Sequence, residues 1–312
     1  MPSRPSSRIY PVYTIESVCP QPTPSTPSTS STSPASPLSR LFNTLLFPLT
    51  YFIPPPSMSS LPVVLITGAS QGLGRAIACA VVKKNANVVA IARTRAKLED
   101  LRNELGDRCE IIVGDVTEES TISQAVECAK TKWGRLDAVV ANAGVLQIEP
   151  VASLSQAEWK RAFDVNFFSI IALVQRALPL LRVAPSKGRF IAISSGASTK
   201  AYSGWSSYCA SKAALNMFVA SLGMEEPDLI SMAIRPGVLD TEMQSLVREQ
   251  GAANMKPEEH QKFINLHAQN QLVDAREPGH VIAALALDAP KAFSGGYFNW
   301  EDEAFKEYQR RA

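Results

Sequence analysis

The sequence is poor in the residues that build metal sites and disulfide frameworks. Its 312 residues include only five cysteines and three histidines. The number of cysteines is odd and none lies in a Cys-x-x-Cys pair, which is typical of reduced thiols in an intracellular protein. The histidines also lack the spacing of metal ligands. We therefore expect neither a disulfide framework nor a resident metal.

Excess charge of either sign is also lacking. The 31 basic and 29 acidic residues leave a formal net charge of +2 at pH 7. That excess comes from residues 1–57, which hold three arginines and one glutamate, so the charges balance from Met58 onward. A neutral chain without a basic run lacks the positively charged surface that binds nucleic acid. The composition therefore excludes nucleic acid as the main partner.

The apolar run nearest the N-terminus is too short to cross a membrane. Residues 41–53 are interrupted by Pro48, whereas a spanning helix needs about 20 apolar residues. Residues 20–39 are almost entirely Ser, Thr and Pro, a composition that cannot bury enough apolar surface to fold. We predict that residues 1–57 are a disordered extension of a cytoplasmic protein without a membrane span. Two other interpretations stay open: an organelle-targeting segment, and translation that starts at Met58.

From Leu61 onward, short apolar runs typical of buried strands alternate with helical patterns. This alternation predicts an α/β fold, a doubly wound parallel sheet with helices on both faces, in one domain over residues 58–312. The predicted strands lie at residues 63–66, 87–92, 110–113, 136–141, 189–194, 229–234 and around 297–298. A long helix is predicted from Gln156 to about Arg182. Residues 240–275 are polar with scattered apolar anchors and predict a helical excursion.

A glycine-rich turn joins the first predicted strand to the first predicted helix. It reads Thr-Gly-Ala-Ser-Gln-Gly-Leu-Gly at residues 67–74. Glycines permit a tight turn and close backbone approach, and the following helix N-terminus favours a pyrophosphate. We predict a dinucleotide site here, with a plain tight turn as the alternative. Its candidate residues are Gly68, Ser70, Gln71, Gly72, Leu73 and Gly74.

The end of the second predicted strand favours NADP over NAD. A carboxylate at this place would bind the ribose 2′-hydroxyl of NAD. The sequence here is Ala92-Arg93-Thr94, and a cationic side chain suits a 2′-phosphate instead. Arg93 and Thr94 are therefore candidate contacts for NADPH. The alternative is a solvated arginine that precedes a helix.

Tyr208 and Lys212 are four residues apart in a stretch of small, helix-compatible residues. In a helix this spacing places both side chains on one face, one turn apart. A free tyrosine has a pKa near ~10, and a neighbouring cation favours the phenolate and lowers that pKa. The pair therefore predicts a proton donor. Alone, the same spacing also suits a surface helix with a half-buried tyrosine and a solvated lysine.

In combination, these motifs resemble the short-chain dehydrogenase/reductase family. The shared features are Thr-Gly-x-x-x-Gly-x-Gly, the segment Asn142-Ala143-Gly144 after the fourth strand, and then Ser195, Tyr208 and Lys212. The likeness covers residues from about 61 to 298. It implies a single Rossmann-type domain with about seven strands and an NADP-dependent oxidoreductase acting on CH–OH groups. It also implies possible homo-oligomers through the helices that carry Asn166 and Tyr208.

The resemblance implies roles for the matching residues. Tyr208 would be the general acid for carbonyl reduction, and Lys212 would bind the nicotinamide ribose and lower the pKa of Tyr208. Ser195 would hydrogen-bond the substrate carbonyl, with Ser194 as a neighbour that could be confused with it. Asn166 would hold a water in a proton relay behind Lys212. Further implied cofactor contacts are Asp115 and Val116 at the adenine, Asn142, Ala143 and Gly144 after the fourth strand, and Pro236, Gly237, Val238 and Thr241 at the nicotinamide.

A narrower resemblance is to fungal benzil reductases that form (S)-benzoin, which are in turn similar to sepiapterin reductases. It rests on Leu-Pro-Leu-Leu at 178–181, Phe-Asp-Val-Asn-Phe-Phe-Ser at 163–169, and the serine-rich segments at 194–198 and 204–206. It implies NADPH-dependent reduction of a small apolar or aromatic ketone or diketone. Tyr202 and Trp205 would wall an aromatic substrate, or else are packing residues. The alternative functions are a nucleotide-binding scaffold or sensor with little turnover, and a dehydrogenase that oxidises another alcohol.

Overall fold

The computed structural model describes residues 59–309, so the prediction for residues 1–57 lies outside the described part of the chain. Seven parallel strands form one sheet in the order β3-β2-β1-β4-β5-β6-β7. This is the predicted doubly wound sheet. The strands are β1 Val63–Thr67, β2 Asn87–Ala92, β3 Cys109–Val113, β4 Ala138–Ala141, β5 Arg189–Ile193, β6 Ile230–Arg235 and β7 Gly296–Asn299.

Helices cover both faces of the sheet. The bounds are α1 Gly72–Lys83, α2 Arg95–Leu105, α3 Glu119–Trp133, α4 Gln156–Phe163, α5 Ser169–Leu181, α6 Ser206–Glu225, α7 Glu242–Asn254, α8 Pro257–Ala268, α9 Arg276–Asp288 and α10 Lys306–Gln309. One hydrophobic cluster joins the sheet to α1, α2 and α9, and a second joins it to α3, α5 and α6. Because both faces are covered, β1, β2, β4 and β5 are buried at every position, which explains their unbroken apolar runs.

The predicted long helix is present, but a π-helical turn interrupts it. Asp164–Phe168 form this turn between α4 and α5. The whole stretch, Gln156–Leu181, is the one described helix long and apolar enough to cross a membrane by length and composition. The core helix of a soluble protein passes the same test, and α5 buries Leu173, Val174 and Ala177 against the sheet and its neighbours.

Helix α9 and the short helix α10 were not predicted from the sequence. Helix α9 packs against α1, and Gly279 faces Ala76 so closely that an added Cβ would lie 3.0 Å from the Ala76 Cβ. Its apolar residues Val281, Ile282 and Leu285 have helical spacing. However, the Pro278-Gly279 pair at its start is typical of a turn, although proline is tolerated in the first turn of a helix.

The parallel register brings six strand ends to one edge of the sheet. Leu65 of β1 pairs with Val89 of β2 and with Val139 of β4. The segments that follow β1, β2, β3, β4, β5 and β6 therefore lie along the carboxyl edge, where ligands of open α/β sheets bind. All of the predicted site residues are on these segments or on the helices that pack beside them.

Candidate active site

The glycine-rich turn has the backbone shape that its sequence predicts. Gly68 and Gly72 adopt positive φ angles of 66° and 52°, a conformation that favours glycine. At Gly74 a Cβ would lie 2.3 Å from the Gly68 carbonyl oxygen. A side chain at position 74 would therefore prevent α1 from packing this close to the turn. Leu73 is buried in the core, so its side chain anchors the turn.

The start of α1 fits a dinucleotide phosphate. Gln71 is the N-cap residue and makes no side-chain capping bond, and the first turn holds no acidic residue. The first amides of a helix lack partners within the helix and attract anions. A neutral first turn therefore leaves these amides suited to a pyrophosphate.

Asn142 and Thr67 fix the two central strand ends together. The Thr67 hydroxyl accepts hydrogen bonds from the backbone amides of Asn142 and Ala143, both at 3.0 Å. The Asn142 amide donates to the carbonyl oxygens of Thr67 and Gly68 at 2.9 and 3.2 Å. Its side chain therefore shapes the glycine-rich turn, and Thr67 is a supporting residue that the sequence did not single out.

The segment after β6 faces the glycine-rich turn. A Cβ on Gly72 would lie 3.2 Å from Thr241 Cγ2, and Gly237 takes a positive φ of 84° beside Trp300. Pro236 and Val238 lie on the same segment, which leads into α7. The segment after β6 therefore lies against the glycine-rich turn at the carboxyl edge.

Lys97 and Glu242 meet beside Gln71 of the glycine-rich turn, and no sequence pattern predicts this pair. Lys97 of α2 donates to the Gln71 side-chain oxygen, and the Glu242 carboxylate accepts from Gln71 and, at 3.0 Å, from Lys97. These hydrogen bonds hold the pKa of Glu242 below its usual range. The pairing crosses 145 residues of sequence, so the tertiary fold alone produces it.

The predicted adenosine end carries an exposed cation. The Arg93 side chain is 66% exposed, and its Nη1 lies 3.9 Å from Asp115 Oδ2. Asp115 also accepts hydrogen bonds from the amide and hydroxyl of Thr117 at 3.0 and 2.9 Å. Thr94 is the N-cap of α2 and makes no capping bond there, and Val116 is buried in the core. The guanidinium is thus accessible to an anion at the end of β2.

Tyr208, Lys212 and Ser195 come together beside the end of β5. Tyr208 and Lys212 lie on successive turns of α6 and are 7% and 3% exposed. The Lys212 ammonium donates to the Ile193 carbonyl oxygen at 2.8 Å and lies 5.8 Å from the centroid of the Tyr208 ring. The Ser195 hydroxyl lies close enough to the Tyr208 phenol to lower its pKa. The arrangement places the Ser195 hydroxyl near the Tyr208 phenol, and the buried Lys212 ammonium near the Tyr208 ring.

The pKa of Tyr208 is shifted in the direction opposite to our prediction. Burial raises it to about 12, and the nearby Ser195 hydroxyl lowers it only in part. Burial also lowers the pKa of Lys212 to about 8. In the protein alone, removal of the phenol from water outweighs the stabilisation of a phenolate, because desolvation disfavours the charged form of both groups.

The structure separates Ser195 from its neighbour Ser194. The Ser194 hydroxyl is buried and donates to Asn216 Oδ1 at 2.6 Å. The Ser195 hydroxyl instead accepts from the Ala197 amide at 3.1 Å and contacts Tyr208. Ser195 is thus the serine placed beside the phenol, whereas Ser194 anchors the strand end to α6.

Asn166 lies in the π-helical turn and is fully buried. Its Oδ1 accepts from the Val145 amide at 2.8 Å, and its Nδ2 donates to the Val145 carbonyl at 2.9 Å and to Ser211 Oγ at 3.1 Å. A Cβ on Gly144 would lie 3.3 Å from Asn166 Oδ1 and 3.7 Å from Lys212 Nζ. The amide therefore holds the loop after β4 against α6, next to Lys212.

An aromatic cluster covers the outer side of Tyr208. Trp205 meets Tyr208 edge-on with ring centroids 5.9 Å apart and stacks on Phe263 of α8 at 5.4 Å. Tyr202 lies 4.9 Å from Trp205. Leu146 and Ile148, from the loop after β4, belong to the same hydrophobic cluster. The helical excursion thus closes over Tyr208 with apolar and aromatic side chains.

Among residues 59–309, no group of three or more His, Cys, Asp or Glu side chains is placed to hold a metal ion. The four described cysteines are free thiols, and burial raises the pKa of Cys209, the neighbour of Tyr208. A raised thiol pKa makes a weaker nucleophile at neutral pH.

Residues 62–252, more than half of the chain, match the family model described as short chain dehydrogenase. The chain is 42% identical to benzil reductase ((S)-benzoin forming) of Saccharomyces cerevisiae over 255 residues, which are 77% of this chain and 96% of that protein.

Two solved structures from Saccharomyces cerevisiae are similar to this fold. A short chain dehydrogenase/reductase superposes with a TM-score of 0.77 at 38% identity and covers 79% of this chain and 99% of its own. A cytoplasmic protein with unknown function superposes with a TM-score of 0.68 at 37% identity, again over 79% and 99% of the two chains. With the sheet order and the family match, these likenesses establish that the chain belongs to the short-chain dehydrogenase/reductase family.

Proposed function

We propose that this oxidoreductase is an NADPH-dependent carbonyl reductase that transfers a hydride to a small apolar or aromatic ketone or diketone. The observation that carries the proposal is the position of the Ser195 and Tyr208 hydroxyls. The two side chains are neighbours, and Lys212 lies one helical turn after Tyr208, at the sheet edge that holds the glycine-rich turn. A substrate oxygen placed between them meets two donors, while the bound nicotinamide supplies the hydride.

In this proposal Tyr208 is the general acid. Hydride addition builds negative charge on the carbonyl oxygen, and the Ser195 hydroxyl stabilises that charge by donating a hydrogen bond. The phenol then gives its proton to the same oxygen. The raised pKa keeps Tyr208 protonated at neutral pH, and an alkoxide is more basic than a phenolate, so the transfer is still downhill.

Lys212 has two tasks in the proposal. Its ammonium stands next to the Tyr208 ring and is fixed by the Ile193 carbonyl, so it can stabilise the phenolate that remains after proton transfer. Its remaining donors are available to the hydroxyls of the nicotinamide ribose. Asn166 contributes by fixing the loop beside Gly144, and the predicted water relay behind Lys212 stays a prediction.

The preference for NADPH rests on Arg93. This exposed guanidinium stands at the end of β2, where a carboxylate would select NAD. The α2 helix that follows has no acidic residue in its first turn and an uncapped Thr94, which also suits a phosphate. The other cofactor contacts predicted from the sequence, in the glycine-rich turn and after β3, β4 and β6, are part of this proposal with the roles given above.

The aromatic cluster supports an apolar substrate. Tyr202, Trp205 and Phe263 are packed together next to Tyr208, and aromatic rings bind other rings by stacked and edge-on contacts. The 42% identical relative from Saccharomyces cerevisiae is a benzil reductase, and benzil is an aromatic diketone. We extend this substrate class to the present chain, and its location to the cytoplasm, as for the similar cytoplasmic protein.

The test is nicotinamide absorbance with purified protein, benzil, and NADPH or NADH in parallel. Fast loss of the reduced-nicotinamide band with NADPH alone is the expected result. Equal rates with NADH would overturn the cofactor assignment. Tight NADPH binding without reduction of benzil would overturn the benzil-like substrate. A panel of other ketones would then be used to identify the substrate.

A further inference from the structure

A chain of hydrogen bonds joins the catalytic helix α6 to the segment that carries Ser195. The Ser194 hydroxyl donates to Asn216 Oδ1 at 2.6 Å, and Asn216 Nδ2 donates to Ser198 Oγ at 2.8 Å. Ser198 Oγ in turn donates to the Ser195 carbonyl oxygen at 2.6 Å. Both ends of the Asn216 amide are therefore used, and both lead to residues that flank or touch Ser195.

The backbone of Ser195 is held from several sides. It is extended, with φ −152° and ψ 155°, and precedes a 3₁₀ turn at Gly196–Ser198. Its carbonyl oxygen also accepts from the Tyr297 phenol of β7 and the Ser198 amide, each at 3.0 Å. With the backbone fixed in this way, the hydroxyl can take only a few positions relative to Tyr208, because this short side chain has few staggered rotamers.

Asn216 occupies a particular place on α6. Tyr208, Lys212 and Asn216 follow one another at intervals of four residues, so they lie on successive turns of one helix. The helix that carries the proposed acid and its ammonium thus also carries the amide that ties down the Ser195 segment. One rigid helix therefore sets the relative positions of the Tyr208 phenol, the Lys212 ammonium and the Asn216 amide. Proton transfer needs such positions to be fixed to within about 0.5 Å.

We propose that Asn216 is a positioning residue that holds the Ser195 hydroxyl in place against Tyr208. The inference rests on the carbonyl reductase function proposed above, since it assigns Asn216 a part in the same site. Asn216 itself touches neither the proposed substrate position nor the Tyr208 phenol. Its effect passes through Ser194 and Ser198 to the backbone of Ser195.

The first measurement follows backbone order and needs no turnover. Amide hydrogen exchange is compared in the wild type and in Asn216→Leu, which removes donor and acceptor at similar volume. The amides of Ala197 and Ser198, which donate to Ser195, are expected to exchange about tenfold faster in the variant, as for the loss of one hydrogen bond. The amide of Cys209 on α6 is expected to be unchanged. Unchanged exchange at Ala197 and Ser198 would overturn the inference.

The second measurement is a double-mutant cycle with benzil and NADPH. Asn216→Leu is expected to lower kcat about tenfold and to leave the KM for NADPH within about twofold of wild type. In a Ser195→Ala background it is expected to cause no further loss, because the hydroxyl that Asn216 positions is already gone. An equal fractional loss in both backgrounds would overturn the inference, since a merely structural residue acts independently of Ser195.

Two further variants complete the design. Asn216→Asp has the same shape and keeps the acceptor for Ser194 but loses the donor to Ser198, so an intermediate effect is expected; it replaces Asn216→Leu if the latter does not fold. Asn103→Leu makes the same change at an exposed position of α2 and is expected to leave kcat unchanged. If the wild type reduces no carbonyl compound, the proposed function fails, and the exchange measurement alone decides the inference.

Discussion

Replacing Tyr208 by phenylalanine removes one oxygen atom from the proposed site and little else. The ring is 7% exposed and packs edge-on against Trp205, and phenylalanine fills the same volume. Lys212 keeps its hydrogen bond to the Ile193 carbonyl, so the ribose side of the site stays intact. The lost contact with Ser195 is worth at most about 1 kcal/mol of stability, the contribution of one hydrogen bond.

The expected loss of rate is far larger than the loss of stability. Removal of a general acid costs about 10²- to 10⁴-fold. Loss of one of the two hydroxyl donors at the developing oxyanion acts in the same direction. We therefore expect Tyr208→Phe to lower kcat at least about 10³-fold, equivalent to about 4 kcal/mol in the activation barrier. The Kd for NADPH is expected to stay within about twofold of wild type.

The assay combines single-turnover absorbance at the nicotinamide band with a fluorescence titration of NADPH. Tyr308→Phe is the matched control, because this phenol bonds the Asp288 carbonyl on α9 and has no part in the proposed site. A Tyr208→Phe enzyme with near-normal rate would refute the reasoning. A variant that no longer binds NADPH would instead show that the substitution disturbs the fold.

Three further outcomes are expected. Arg93→Asp should raise the KM for NADPH about 10- to 100-fold, since it replaces a charge-assisted contact by repulsion. The KM for NADH in steady-state kinetics should change much less. Equal effects on the two KM values would contradict the cofactor assignment. Asp137→Ala should lower the free energy of unfolding in urea by about 3–5 kcal/mol, because Asp137 is 1% exposed and accepts hydrogen bonds from Arg135 and the Val63 amide. A loss under about 1 kcal/mol is typical of a surface ion pair and would contradict this prediction. Burial lowers the pKa of Lys212 to about 8, so Lys212 loses its charge as pH rises through that value. The kcat/KM for ketone reduction should therefore fall above about pH 8. A profile that stays flat to pH ~10, where free tyrosine titrates, would contradict a role for the Lys212 charge.

Local sequence patterns were sufficient for most of the fold. The apolar runs at β1, β2 and β5 predict buried strands because both faces of a covered parallel sheet are apolar. The glycines at 68 and 72 predict the turn because it needs positive φ angles. Helix α9 was missed because its Pro278-Gly279 pair is typical of a turn, and the close packing of Gly279 on Ala76, which favours a glycine there, joins residues 203 positions apart.

Within the site, the sequence indicated the residue types and the structure decided their surroundings. The spacing of Tyr208 and Lys212 placed them on one helical face, but the depth of the pair, and so the direction of the Tyr208 pKa shift, depends on the elements that pack over α6. Likewise, the sequence could not separate Ser194 from Ser195. Asn216 separates them, because its amide takes the Ser194 hydroxyl and leaves that of Ser195 for Tyr208.

Local sequence patterns therefore predicted the strands, most of the helices, the glycine-rich turn and the chemical groups of the proposed site, because each depends on neighbours within a few residues. The pairing of Lys97 with Glu242, the anchoring of Ser195 and the pKa values of Tyr208 and Lys212 could not be predicted in this way. Hydrogen bonds between distant segments and the exclusion of water exist only after the sheet and its helices have closed around these groups.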